Sequence, residues 1–137
     1  MIRFRMHKIN IDQFAILVKN TDVANVKILN SIGIKHTADC KSFMILSEFS
    51  FEENEKQLMV LNVSCEFTIH QQDFATLVKD NIITIPKHII DYFIAQTIGT
   101  ARGILHCKTE GTIYNGIIIP PINATEFLKE DMVIKLS

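Results

Sequence analysis

The residues able to do chemistry in this chain are five histidines, three cysteines and a scatter of carboxylates, and their spacing decides what they can do. His7, His36, His70, His88 and His106 form no HxxxH or HExxH pair, and Cys40, Cys65 and Cys107 form no CxxC pair. Metal sites use such repeats to bring two donors to one face of a helix or turn. Cys65 and His70 stand five residues apart on what reads as one strand, so they point to opposite faces. His106 and Cys107 are neighbours and diverge on a helix. The chain has no GxSxG elbow and no GxxxxGK phosphate loop. A nucleophilic triad whose members meet only in three dimensions stays open. Glu52, Glu53 and Glu55 cluster, but at a turn, where a solvated hairpin tip explains them better than paired acid–base carboxylates. Asn62-Val63-Ser64 and Asn123-Ala124-Thr125 match the glycosylation pattern and carry no meaning in a cytoplasmic protein. The expectation is a protein without catalytic residues, metal or cofactor.

Composition narrows the class further. The 137 residues correspond to one domain. Lys plus Arg is 14 and Asp plus Glu is 15, a net charge of −1, so the clustered basic face of a nucleic-acid binder is not expected. Apolar residues make up 47%, enough for a real core and too many for disorder. No apolar stretch approaches the roughly 20 residues that span a bilayer, and Asp12 and Gln13 interrupt what would be the apolar part of a secretory signal. Three cysteines make an odd set unsuited to a disulfide framework, which points to the cytoplasm.

The elements that must position any site are strands first, then one long helix. Ile2, Phe4 and Met6 alternate with Arg3, Arg5 and His7, after which the phase flips to Ile9 and Ile11, the sign of a bulge. Phe14 to Val18 either continues this strand or opens a loop, and Lys19 to Ser31 reads as irregular. Ile32 and Ile34 resume the alternation. Phe43, Ile45, Phe49 and Phe51, with Ser47 between them, share one face of a strand that turns at Glu53-Asn54-Glu55-Lys56. The return strand places Met59, Leu61, Val63, Cys65, Phe67 and Ile69 on one face, a long half-buried antiparallel pattern.

Beyond Gln71 the period changes. Phe74, Leu77 and Val78 suit a short helical turn, and Asn81 to Ile85 reads as an Ile-rich connection. Pro86 sits where a first helical residue is favoured, and the apolar spacing of Ile89, Ile90, Phe93, Ile94, Ile98, Ala101, Ile104 and Leu105 predicts a helix to about Lys108. Such a helix is roughly 35 Å long. Gly111 is a stop signal, and the proline-terminated run Ile113 to Pro121 cannot be a central strand throughout. A short final helix is expected from about Thr125, and Met132 to Leu136 is too brief to assign. The fold class is α+β: a four-stranded antiparallel sheet, one long helix and a short C-terminal helix.

Two features rise above this background. Ala95, Gly99 and Gly103, four residues apart, form a smooth strip on the long helix. Glycine inside a helix costs about 1 kcal/mol relative to alanine, so close approach of another backbone is the usual gain. Packing on the chain's own sheet and a helix–helix contact between subunits both account for the strip. The second feature is surplus apolar residues. Phe74 to Ile85 and Ile113 to Ile122 are both apolar, and one sheet with one helix does not easily cover both.

The order of features resembles the SecB family of export chaperones. Phe67-Thr68-Ile69 is similar to that family's Phe-Ser-Ile, Asn81-Ile82-Ile83 leading to Pro86 is similar to its Asn-Ile-Leu-Phe-Pro, and Gly111-Thr112 followed by Pro121-Ile122-Asn123 is similar to its Gly-Thr and Pro-Val-Asn. The likeness runs from about Lys56 to Phe127, while the first 55 residues match only as strands. It implies an ATP-independent holdase for unfolded or non-native polypeptides. It implies a homotetramer, a dimer of dimers with long helices at the subunit interface, where Ala95, Gly99 and Gly103 would lie. The matching client-groove positions are Phe74, Leu77, Ile83 and Ile85, with Tyr92 nearby on the helix. The near-neutral charge departs from the acidic members that serve export. Only fourteen residues follow Asn123 in the chain of 137, so docking on the SecA motor is not expected and a role in antitoxin protection or general proteostasis is open. A small-ligand or enzymatic α+β domain, or an adaptor for one fixed partner, are the competing classes.

Overall fold

The computed structural model describes residues 1–19 and 24–136. The main sheet is formed by β1 (Phe4–Ile16), β2 (Lys27–His36), β3 (Ser42–Glu53) and β4 (Lys56–Ile69), all antiparallel, in the order β1-β4-β3-β2. The α+β class and four-stranded antiparallel sheet are as the alternation requires. The stretch expected to be irregular over Lys19 to Ser31 is strand from Lys27 onward, and its residues 20–23 lie outside the described residues. The strand escapes notice because Lys27, Leu29 and Ser31 occupy its exposed face while Asn30 interrupts the other.

Strand β1 contains two register shifts against β4, one between Met6 and Lys8 and one between Ile11 and Gln13. The alternation reveals the first. The second restores the phase, so Phe4, Met6, Ile9, Ile11, Phe14 and Ile16 all oppose the inward residues of β4. The β3–β4 connection is tighter than a four-residue loop: Glu53 pairs with Lys56, and Asn54 and Glu55 both have positive φ, the mark of a type I′ turn.

After β4 the chain forms α1 (Gln71–Leu77), β5 (Val78–Lys79), β6 (Ile82–Ile85), α2 (Lys87–Lys108) and β7 (Met132–Lys135). The expected connection over Asn81 to Ile85 is a strand. It hairpins with β5 through Asp80 and Asn81, both at positive φ, and pairs on its other side with β7. The expected C-terminal helix is corrected likewise. Residues Ala124–Glu126 make a single 3-10 turn capped by the Asn123 side chain, and the chain continues into β7. Thr125 lies inside the turn, and Met132, Ile134 and Leu136 further on turn inward at a spacing of two, which suits a strand. Pro86 is the residue before α2 rather than its first residue. The N–H of Lys87 donates to Asp131 Oδ1 at 2.7 Å, so a carboxylate from the segment entering β7 satisfies the helix start.

Helix α2 lies across β3 and β4. Phe93 stacks on Phe67 with ring centroids 4.3 Å apart and meets Phe4 edge-on at 4.9 Å. Three of the buried hydroxyls donate to backbone carbonyls: Ser47 to Val63 O on the neighbouring strand, Thr97 to Phe93 O and Thr109 to Leu105 O one helical turn back. Replacing Phe93 with alanine removes the ring joining helix and sheet, and chemical denaturation is expected to show a loss of about 3–5 kcal/mol.

Arg3 closes the start of β1 onto α1. Its backbone N–H and its Nε each donate to Asp73 Oδ2 at 2.8 Å. The guanidinium hydrogen bond, more than the long-range charge, holds the Asp73 carboxyl below the ordinary carboxylate range. A depressed folded value means that the stabilisation is complete above the unfolded value near pH 4 and is lost as pH falls through the folded one. The difference in melting temperature between the protein and Asp73→Asn should be constant from pH 7 to 5 and close below about pH 4.

Candidate functional site

Chemistry is tested first by the cysteines and histidines. The thiols of Cys40 and Cys65 are buried, and burial pushes both above the ordinary thiol value. His36 Nδ1 lies 3.5 Å from Cys40 Sγ, but the same nitrogen is 2.8 Å from Thr37 O. A nitrogen facing a carbonyl must be the N–H donor, so it cannot take the thiol proton. Cys40 is therefore not activated as a nucleophile. Across the exposed sheet face, Thr68 Oγ1 meets His7 Nδ1 at 2.8 Å, while Glu66 stands 3.8 Å from His7 Nε2 and accepts from Asn10 Nδ2 at 3.2 Å. This row ties β1 to β4 along a half-exposed surface. Among the described residues no group of three His, Cys, Asp or Glu could hold a metal ion. No helix of the described residues is long and apolar enough to cross a membrane.

The apolar groove expected along the crossover segment is not open. Ile83 and Ile85 are completely buried, so both are withdrawn as groove residues. Phe74 is 9% exposed beneath the Lys41 ammonium, 5.8 Å from its ring centre. Leu77 is half-buried against the core, and Tyr92 alone of the five stands exposed, its ring 5.2 Å from Phe4. The correction has a simple cause: β6 alternates, and its inward side chains are sealed by Met132 and Ile134 of β7.

The strip on α2 behaves differently. Ala95, Gly99 and Gly103 all face away from the sheet and are exposed. A Cβ added at Gly103 would meet nothing within 4 Å, and one at Gly99 would meet only the Arg102 guanidinium at 3.9 Å. Packing on the chain's own sheet therefore does not account for these glycines.

The open apolar surface lies elsewhere, at the sheet end that carries the β3–β4 turn. The segment after α2 begins with a 3-10 turn, Ile113–Gly116. Tyr114 is buried there, and its hydroxyl donates to Val18 O. Arg102 fixes the rest of the segment by donating to Ile119 O at 2.6 Å and Pro120 O at 3.1 Å. Between this segment and β2 runs a cleft of about 350 Å³ lined by Ala24, Val26, Ile28, Ile113, Ile117 and Ile118. Ile113 is 53% and Ile118 62% exposed. A second cleft, lined by Ile16, Lys19, Thr112 and Tyr114, shares Ile113 with it. The edge of β2, unpaired among the described residues, borders the first cleft. At the opposite edge Ile9 and Ile11 of β1 are also about half exposed, although they belong to the helix-facing side. The run Ile113 to Ile122 marks this surface in the sequence as surplus, whereas the contribution of Val26 and Ile28 is hidden in the stretch read as irregular.

Neither a protein-family model nor a curated protein sequence matches this chain.

The Arg102 contacts make a prediction. Arg102→Met should keep the sheet intact by circular dichroism, lower stability on the order of 1 kcal/mol, and speed proteolysis between residues 111 and 121 relative to the parent protein.

Proposed function

We propose that this protein is a SecB-like holdase: an ATP-independent binder of unfolded or non-native polypeptides, working in the cytoplasm as a homotetramer in protein export or antitoxin protection. The observation that carries the proposal is apolar surface left uncovered on both flanks of α2, with Ile113 and Ile118 beside the edge of β2 that is unpaired among the described residues. Apolar client segments lose water by seating against these side chains, a non-directional gain that suits clients of no fixed sequence. The main-chain groups of β2 add strand-like hydrogen bonds, which are equally indifferent to sequence.

The four-stranded sheet, the crossover through α1 and the β5–β6 hairpin, and the long helix support the likeness to the SecB family. The strand at β7 departs from it. Client contacts are assigned here to Ile113, Ile117 and Ile118 with Val26 and Ile28, and at the crossover side to Tyr92, Leu77 and the rim of Phe74. The outward strip of Ala95, Gly99 and Gly103 is assigned to helix packing between subunits, where missing side chains allow close approach and one self-complementary face serves both partners.

The test combines light scattering with an aggregation assay of a chemically unfolded client in the absence of nucleotide. A tetramer that suppresses aggregation at near-stoichiometric ratio is expected. A monomer that leaves aggregation unchanged overturns the proposal. Ile118→Asp should weaken client binding about tenfold, because a buried isoleucine contributes about 1.5–3 kcal/mol. Gly99→Leu should break the tetramer while the circular dichroism of the sheet is kept; an unchanged assembly by sizing refutes the interface assignment.

A further inference from the structure

Strand β6 has unequal partners. It shares two register pairs with the two-residue strand β5 but four with β7, from Ile82 opposite Lys135 to Ile85 opposite Met132. The pairing extends one residue further, where Leu136 N donates to Asn81 O at 2.8 Å and the Asn81 side chain donates to Leu136 O. Met132, Ile134 and Leu136 pack on the core beside the sealed Ile83 and Ile85, while Val133 and Lys135 face outward and Val133 is 64% exposed. Thus β7 makes main-chain bonds to one strand and presents an apolar residue at every second position. These are the contacts that an added peptide strand makes at a sheet edge. Its entry is held by Asp131 on the first N–H of α2, a bond at the surface.

Resting on the holdase function above, we propose that the β6 edge is itself a polypeptide-binding site, occupied in this structure by the chain's own β7. Its ligand class is an extended segment with aliphatic residues at positions i, i+2 and i+4 and free choice between them, as in Met132-Val133-Ile134-Lys135-Leu136. A client segment of this pattern takes the place of β7, and β7 competes with it. Without a strand there, β6 would be left with two-residue β5 alone, and a two-stranded hairpin is marginal in water. The edge therefore favours being filled by one strand or another.

The experiment locks β7 in place. The hydrogen bond at Leu136 and Asn81 sets the alternation, so Thr84 and Val133 form a non-hydrogen-bonded cross-strand pair. Their Cα atoms then stand about 4.5 Å apart, within disulfide range. The full chain carrying Thr84→Cys, Val133→Cys and Cys107→Ser is compared oxidised and reduced, with the new disulfide verified by thiol counting. The probe is a fluorescent peptide Asp-Met-Val-Ile-Lys-Leu, and its control, Met-Ile-Leu-Val-Asp-Lys, has the same composition but no set of apolar residues at i, i+2 and i+4. The reduced protein is expected to bind the probe by anisotropy and the oxidised protein to lose that binding, with the control binding neither. Ile134→Asp, which cannot seat β7, should bind the probe about tenfold more tightly than the parent because the competitor is gone. Equal binding to the oxidised and reduced forms, or none to the reduced form, overturns the inference; the locked pair decides it even where Ile134→Asp fails to fold. The aggregation assay separates the two proposals. Probe exchange without aggregation suppression removes the holdase function alone, and suppression that is equal in the locked and unlocked forms, with no probe exchange, removes the β6 site alone.

Discussion

One helix must cover a sheet wider than itself. Four strands spaced about 4.8 Å apart present a face of nearly 20 Å, whereas a helix with its side chains is about 10 Å across. Helix α2 settles over β3 and β4, where Phe43, Phe49, Phe51, Leu61 and Phe67 are buried to about 1% exposure or less. The helix-facing residues of the two edge strands are left without it. On β1, Ile9 and Ile11 stay about half exposed; on β2, Ile28, Ile32 and Ile34 are only partly buried. The uncovered apolar surface is thus a consequence of geometry.

The rest of the chain covers some of this shortfall and leaves some open. Residues Ile113 to Ile119 return beside the helix, and Tyr114 and Ile119 are buried while Ile113 and Ile118 are not. Arg102 binds that segment through its carbonyls, which lets side chains of any type project from it. At the far end of the helix, β7 covers the crossover hairpin. Opposite ends of α2 therefore meet opposite treatments: a sealed apolar layer near its start and an open cleft near its finish. On the outward side of the helix, the strip of Ala95, Gly99 and Gly103 carries neither apolar cover nor bulk.

Most of the architecture was legible because it is local. The alternation from Met59 to Ile69 dictates an antiparallel strand with one buried face, and the spacing from Ile89 to Leu105 dictates the helix. Misreadings fall where period and partner disagree. Strand β2 interleaves Asn30 among its inward residues, and β6 and β7 are only four residues each, so their alternation is too brief to separate a strand from a connection. The candidate site was legible only as an excess. The two apolar segments, Phe74 to Ile85 and Ile113 to Ile122, look alike in composition, and nothing local says which is sealed.

By itself the sequence determined the α+β class, the long helix, the hairpin of β3 and β4, the lack of metal-ligand spacing and the smooth strip on α2, because each rests on residues close together in the chain. Only the tertiary structure decided that Ile83 and Ile85 are interior, that Ile113 and Ile118 are exposed, and that the glycines face outward. Each of these depends on a partner far along the chain: Ile83 on Ile134, Ile28 on Ile117, α2 on β3 and β4. Burial is a property of pairs of surfaces, and a one-dimensional pattern specifies one surface at a time.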